Sequence, residues 1–471
     1  METFIHALGQ AETLEEAKGH LHEGLKGLFV KEGGRYDPCC ERVIHRIEIP
    51  VEDHVDPLVW LRQQSCPVKT YWSDRHETFR MAGIGFTQVV SGRSPIDFQD
   101  FFSLLNRTLY TSDPHVRYYG GLRFDQSQTP DEAWDPFADY RFIVPRLEVI
   151  SNGRRTLLAC NIKWDKEMDA RDQMGEWEVA LDRIHTREPG DAEEFPQPEH
   201  REDIPDRELW CENVRAVLTM LERGELQKIV LARKCVLRFD RVLEPAALLQ
   251  RLTARNSHAF HFCFQLDEGR AFIGVSPELL YSRNGHEIYS EAIAGTRARG
   301  RTPDEDRRLA QELLTSEKDL REHRWVSEMV TKGLSPLCIS MDTLSRETLL
   351  SLSHVQHLYT RFRGGLREGI GDADIVATLH PTPAVGGSPR DASMRRIAAL
   401  EPFDRGWYAG PVGWISRDAA HFSVGIRSAL VSGKTLSLFA GAGIVQGSDP
   451  HKEWEENENK LLNFTRLFQL T

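Results

Sequence analysis

Apolar residues recur at helical spacing over residues 12–29 and again from Glu208 to Arg223. Arg42 to Pro50 (RVIHRIEIP) and Phe79 to Val90 instead alternate apolar and polar positions, the period of a half-buried strand. Tyr140 to Ile162 reads as a hairpin turning at Asn152-Gly153, a pair that accepts positive φ at both central positions. Trp164 to Thr186 has helical spacing. Further on, the pattern predicts strands at 227–239, 259–266, 271–283 and 286–293, then helix over 303–333. Strand-like residues near 355–364 follow, then helices at 371–379 and 390–400, strands at 422–430 and 434–440, and a closing helix from about 450 to 469.

Short turn signals such as Asn284-Gly285 and Ser432-Gly433 join the strands, and no regular strand–helix–strand alternation appears. The expected class is therefore α+β: large antiparallel sheets packed as a sandwich with helices outside. Arg187 to Asp206 (REPGDAEEFPQPEHREDIPD) is rich in proline and acid, with too few large apolar groups to offset the entropy of ordering. It suggests an N-terminal α+β subdomain over 1–190, a connector over 191–206 and a second region over 207–471.

Composition narrows the function classes. With 471 residues, 40% hydrophobic content and a formal charge of −12, the chain can bury a large core and is poorly suited to nucleic acid or anionic lipid. An anionic substrate would need local positive charge from a metal or from placed Arg and Lys. The eight cysteines include no CxxC pair, as expected of reduced thiols. The opening residues METFIHALGQ lack a signal pattern, no apolar run reaches membrane-spanning length, and no heptad or apolar stripe calls for a partner. A cytoplasmic protein with no membrane association and no obligatory protein partner is the expectation.

Candidate chemistry lies in the second half. Asp319 and Glu322 (in SEKDLREH) are three apart, as are Glu453 and Glu456 (in EWEENENK), which Lys460 follows by one turn. Two helices carrying such pairs could face one hard cation, although acidic pairs at this spacing are also common on solvated helices. Leu438 to Val445 (LFAGAGIV) runs from a strand into Gly-Ala-Gly, where bare backbone N–H groups could cradle an anion near Arg427; a plain tight turn fits the pattern equally. Lys228 opens QKIVLARK among apolar neighbours that would strip its hydration and make it usable as a base. Glu278, in IGVSPELLY, ends an apolar strand where a carboxyl can stay protonated. Strand-edge lysines and glutamates are mostly solvated, so spacing alone assigns neither a role.

The segments QKIVLARK, IGVSPELL, AIAGTRARG, SEKDLREH, LHPTPAVGG, LEPFDRGWYAGPVGW, FAGAGIV and EWEENENK, in this order over about 205–471, resemble the chorismate-utilising enzymes; YYGGLRFD matches more loosely in the first half. That family includes isochorismate, salicylate, anthranilate and aminodeoxychorismate synthases. The resemblance implies the anthranilate synthase component I-like fold, with chorismate bound beside Mg²⁺ between two packed sheets. Glu322 and Glu456 are then the implied metal ligands, with Asp319 and Glu453 as outer-sphere carboxylates. Arg427, Gly441, Gly443 and Lys460 become carboxylate anchors. Gly295 and Thr296 would line the ring, with His357 and Tyr408 nearby, and Lys228 and Glu278 stand where the water-adding members keep base and acid.

The ammonia-using members generally carry glutamine at the position of Lys228, and aminodeoxychorismate synthases typically carry a nucleophilic lysine at that of Ala294. Water needs a base and ammonia does not. No LLES segment of the anthranilate synthase feedback site is present, and LEPFDRG is closer to the isochorismate members. The expected reaction is a hydroxymutase isomerisation of chorismate to isochorismate, serving menaquinone or siderophore synthesis. Salicylate formation by further pyruvate loss, an anthranilate synthase component I and a silent binding subunit are the alternatives.

Overall fold

The computed structural model describes residues 9–31, 44–93, 96–164, 168, 170–186, 195–352 and 355–469. The opening residues up to 8, Cys39 and Cys40, and 187–194 of the proline-rich stretch lie outside the described residues. The other six cysteines form no disulfide. No described helix is long and apolar enough to cross a membrane.

Two antiparallel sheets, of twelve and nine strands among the described residues, form the frame. The alternation read from the sequence decides which face each side chain takes. In the first sheet, Phe260, Phe262 and Phe264 of strand Phe260–Asp267 join the inter-sheet core with Trp72, Phe272 and Trp407. Cys263 and the flanking Ala271 and Ile273 point the other way, under Leu14, Leu21, Leu249, Phe464 and other helix residues. Period two thus gives this sheet two buried faces. The second sheet completes the sandwich, and helix Glu317–Leu334 packs on its strands Glu287–Ala298 and Val355–Leu366. The α+β class with outer helices is the observed one.

Both sheets draw strands from both halves of the chain. Lys69–Ser73 pairs with Phe260–Asp267, setting Trp72 opposite Phe262, and Arg117–Leu122 pairs with Pro411–Ser416, setting Tyr119 opposite Trp414. Within the stretch read as a connector, His200–Ile204 is a strand on the edge of Lys228–Arg238. Its few apolar groups are compensated by ladder hydrogen bonds and by Asp203, which accepts from buried Arg233 at 2.6 Å.

Four expected strands or hairpins are each divided between the sheets. Phe79 to Val90 becomes Arg80–Ile84 and Gln88–Gly92, and the 140–162 hairpin shrinks to Leu147–Ser151 with Thr156–Ile162, since Tyr140–Val144 belongs to the other sheet. Its turn is also different: Gly153 alone has positive φ, and Asn152 Oδ1 accepts from the Arg154 and Arg155 backbones. The predicted 271–283 and 422–430 strands break at Pro277-Glu278 and at 425–427. A strand that changes sheets keeps its apolar character through the corner, so periodicity alone runs the two pieces together. The 303–333 helix is likewise two, Pro303–Thr315 and Glu317–Leu334, with Ser316 capping the second.

Candidate active site

The two sheet-switching corners clasp each other. Val424 N donates to Glu278 O at 3.1 Å, Val275 N donates to Arg427 O at 3.0 Å, and Ser276 Oγ donates to Val424 O at 2.6 Å. Glu278 and Arg427 are thus fixed by backbone on neighbouring turns. Arg427 has φ of 50°, a left-handed conformation rarely held by a long side chain and sustained here by the clasp. It lies in the corner, not on the preceding strand.

Lys228 opens its strand as expected, but apolar walls are only part of its surroundings. The buried amine donates to Glu322 Oε1 at 2.9 Å and lies 5.9 Å from the Trp325 ring centroid. It is an ion pair aimed at the carboxylate helix. Gly443 makes room for it, because a Cβ there would lie 3.0 Å from Lys228 Cε. Glu322 Oε1 is 3.7 Å from the same point, so amine, carboxylate and glycine meet at one place.

Gly-Ala-Gly is not a turn: Gly441 to Gly443 lie inside strand Thr435–Ile444. The tight-turn alternative is excluded, and the glycine backbone lies on a strand edge. Val230 N donates to Gly386 O, and Ala232 N donates to Glu401 Oε1 at 2.7 Å, both away from the glycine strand. Their partners Gly443 and Gly441 therefore form non-hydrogen-bonded pairs, whose own N–H and C=O groups face the other edge. The Ser428–Ser432 neighbour reaches only Leu438, so that edge is open. Lys460 Nζ occupies part of it, donating to Gly441 O at 2.6 Å and to Glu456 Oε1 at 2.6 Å. Arg427 Nη1 donates to Lys460 O at 3.3 Å, drawing the corner into the same cluster.

Electrostatics sort the carboxyl groups. Lys460 holds Glu456 below the usual carboxylate range against the cost of burial, with Arg427 and Lys228 adding to the effect. Burial, and then the neighbouring Glu456, push Glu453 up to about 7. Asp319 is tied to Arg297 Nη2 at 2.7 Å. Glu278 is pushed up to about 7, first by burial and then by Glu291, against Lys228, Arg75 and Lys460. Its carboxyl has no hydrogen-bond partner among the described residues. At neutral pH it holds its proton about half the time, far more than an ordinary carboxyl.

The expected ring-lining residues also converge. Strand Glu287–Ala298 continues through AIAGTRARG, and Gly295 is a bulge at φ 74° that shifts register so that Thr296 faces His357. His357 Nδ1 lies 3.0 Å from Thr296 Oγ1 and 3.3 Å from Gly295 O, while Nε2 is buried without a partner among the described residues. Burial and Arg427 press this imidazole down to about 3, so it is neutral, and the Gly295 carbonyl assigns the proton to Nδ1. Tyr408 stacks on Phe439 at 5.1 Å, its hydroxyl 3.0 Å from where a Gly441 Cβ would be. Burial pushes that phenol up to about 12.

Every sequence-predicted site residue thus belongs to one connected region, through direct contacts or through the mutual charges of Lys228, Glu278, Arg427, Glu456 and Lys460. Surface cavities of about 820 Å³ against helix Phe98–Tyr110 and about 640 Å³ on the outer face of helix Glu317–Leu334 hold none of them. Arg297, the partner of Asp319, stood unremarked inside AIAGTRARG. Arg75, Glu291 and Tyr359 carried no motif, and only the fold brings them behind Glu278.

A model of the chorismate-binding enzymes matches residues 38–469. The chain belongs to that family. Isochorismate synthase of Catharanthus roseus chloroplasts is 33% identical, over 92% of this chain and 82% of the relative. The solved menaquinone-specific isochorismate synthase MenF of Escherichia coli superposes with a TM-score of 0.82 at 29% identity, covering 94% of this chain and 99% of that one. Anthranilate synthase component I of Streptococcus pneumoniae, at 19% identity and a TM-score of 0.69 over 82% of this chain and 92% of its own, shares the fold. Family membership accounts for the two-sheet frame.

Proposed function

We propose that this chain is an isochorismate synthase, a hydroxymutase that adds water at C2 of chorismate as the C4 hydroxyl departs. Relatives bearing that name match over most of the chain, and one solved relative is menaquinone-specific, which favours a quinone-directed role. The observation that carries the reading is the pairing of a buried amine, Lys228, with a buried carboxyl of raised proton affinity, Glu278, around the same group of carboxylates.

The donor set fits magnesium in a limited sense. No cluster of three or more His, Cys, Asp or Glu side chains suited to a metal occurs among the described residues. Glu322 and Glu456 offer only oxygen, each currently matched by a lysine, and Glu453 is crowded by Glu456. Two carboxylates suit a hard cation that keeps waters and takes substrate oxygens, not a closed protein cage. Bound by Glu322 and Glu456, with Asp319 and Glu453 in the outer sphere, Mg²⁺ would supply positive charge for the ring carboxylate.

The chain's own groups do the rest. The N–H groups of Gly441 and Gly443, with Arg427 and Lys460, hold the substrate carboxylates, while Gly295, Thr296 and Tyr408 border the ring and His357 Nε2 accepts a hydrogen bond. Lys228 serves as base once Glu322 is matched by other positive charge. Its amine takes a proton from water as oxygen bonds to C2. Both conjugated ring double bonds shift, the one at C1–C2 to C1–C6 and the one at C5–C6 to C4–C5, the C4–O bond breaks, and Glu278 gives its proton to the departing hydroxyl, so one water enters and one leaves. Incubation with chorismate and Mg²⁺, followed by chromatography, tests the reading. Isochorismate is expected; salicylate with pyruvate, anthranilate formed only with ammonium, or untouched chorismate would each refute it.

A further inference from the structure

Arg75 comes from the first half of the chain, on the turn after strand Lys69–Ser73, yet it reaches the carbonyl immediately before Glu278. The turn is built around Asp74, whose carboxylate accepts from the backbones of His76, Thr78 and Phe79 at 2.8–3.0 Å. Arg75 Nη2 donates to Pro277 O at 2.5 Å. The same guanidinium grips Glu291 with both arms, at 2.9 and 2.6 Å, and lies 4.8 Å over the Phe260 ring. Tyr359 OH donates to Glu291 Oε1 at 2.6 Å. Arg75 and Glu291 are both buried.

We infer that Arg75, Glu291 and Tyr359 form a positioning device for the acid Glu278: Glu291, itself held by Tyr359, locks the guanidinium that fixes the backbone just before Glu278. The inference rests on the isochorismate synthase reading. A buried bidentate pair is a rigid support, and the Pro277 contact transmits that rigidity to the residue that donates the proton. Glu291 also faces Glu278 closely enough to be the largest contributor to its raised proton affinity after burial. The charged groups facing Glu278 are Glu291 from strand Glu287–Ala298, Lys228 from its strand, Arg75 from the turn and Lys460 from the closing helix. Glu291 is faced in turn by Arg75, Tyr359 and the neutral imidazole of His421. None of the three device residues is placed on substrate, so each acts through Glu278.

The test is the pH–rate profile of Mg²⁺-loaded enzyme turning over chorismate, for wild type, Glu291→Gln and Tyr359→Phe. Activity needs protonated Glu278 and falls as pH rises through its titration. Removing the Glu291 charge should move that alkaline limb down by about one pH unit, as loss of a nearby like charge does. Removing the Tyr359 hydroxyl leaves Glu291 less neutralised and should move the limb up by a smaller amount. Opposite displacements support the device; unmoved limbs with uniformly lower kcat, or displacements of the same sign, overturn it. If Glu291→Gln does not fold, an unmoved or lowered limb in Tyr359→Phe overturns it alone. Wild-type enzyme yielding no isochorismate would instead refute the functional reading on which the device rests.

Discussion

At Glu278, the proposed role as acid and stability oppose each other. Its folded-state proton affinity is raised to about 7 from the ordinary 4.5, so the native state binds the proton more tightly than the unfolded chain. The linkage sign follows: stability is greatest below the unfolded value, falls as pH rises from there through about 7, and is level above it. Glu278→Gln should therefore abolish turnover and make the protein more stable than wild type at pH ~8, by about 2 kcal/mol, with little gain at pH ~4. Chemical denaturation at the two pH values measures this, and equal effects at both would contradict the assignment. Lys228→Gln should reduce turnover by about 10² to 10⁴-fold while chorismate still binds, checked by kinetics and calorimetry. Glu456→Gln should weaken Mg²⁺, and an unaltered metal titration would remove Glu456 as a ligand.

Elements carry the lesson about what a single sequence discloses. The carboxylate helices were legible because spacing of three projects Asp319 with Glu322, and Glu453 with Glu456, to one side. Strand Lys228–Arg238 was legible from its apolar run. The corners were not, because a strand that switches sheets stays apolar on both sides of the break, and Glu278 and Arg427 stand at two such breaks. At Gly441 and Gly443 a turn and an anion-binding edge fitted the sequence equally, because glycine marks both turns and close approaches. Only the pairing with Val230 and Ala232 distinguishes an open edge. Gly443→Ala tests that edge: its Cβ meets the flexible end of Lys228 at 3.0 Å, so the amine yields and the backbone stays. Turnover should drop at least about tenfold, as a misplaced reacting group costs, with circular dichroism unchanged.

For the whole molecule, the decisive feature is that each sheet interleaves the two halves. Trp72 lies opposite Phe262 and Tyr119 opposite Trp414, and Arg75 extends from one half onto the Pro277 carbonyl, just before Glu278, in the other. A fragment over 207–471 loses Lys69–Ser73 and Arg117–Leu122 as partners, exposing strand edges and a large aromatic face. It should fail to give a cooperative melt, and a folded, chorismate-binding fragment would show that the halves are independent. In the proposed reaction, solvent activated at Lys228 becomes the C2 hydroxyl. Mass spectrometry of the product formed in ¹⁸O-enriched water tests it most directly. Isochorismate carrying one solvent oxygen, formed about 10² to 10⁴-fold more slowly by Lys228→Gln, is the predicted result; unlabelled isochorismate would contradict it.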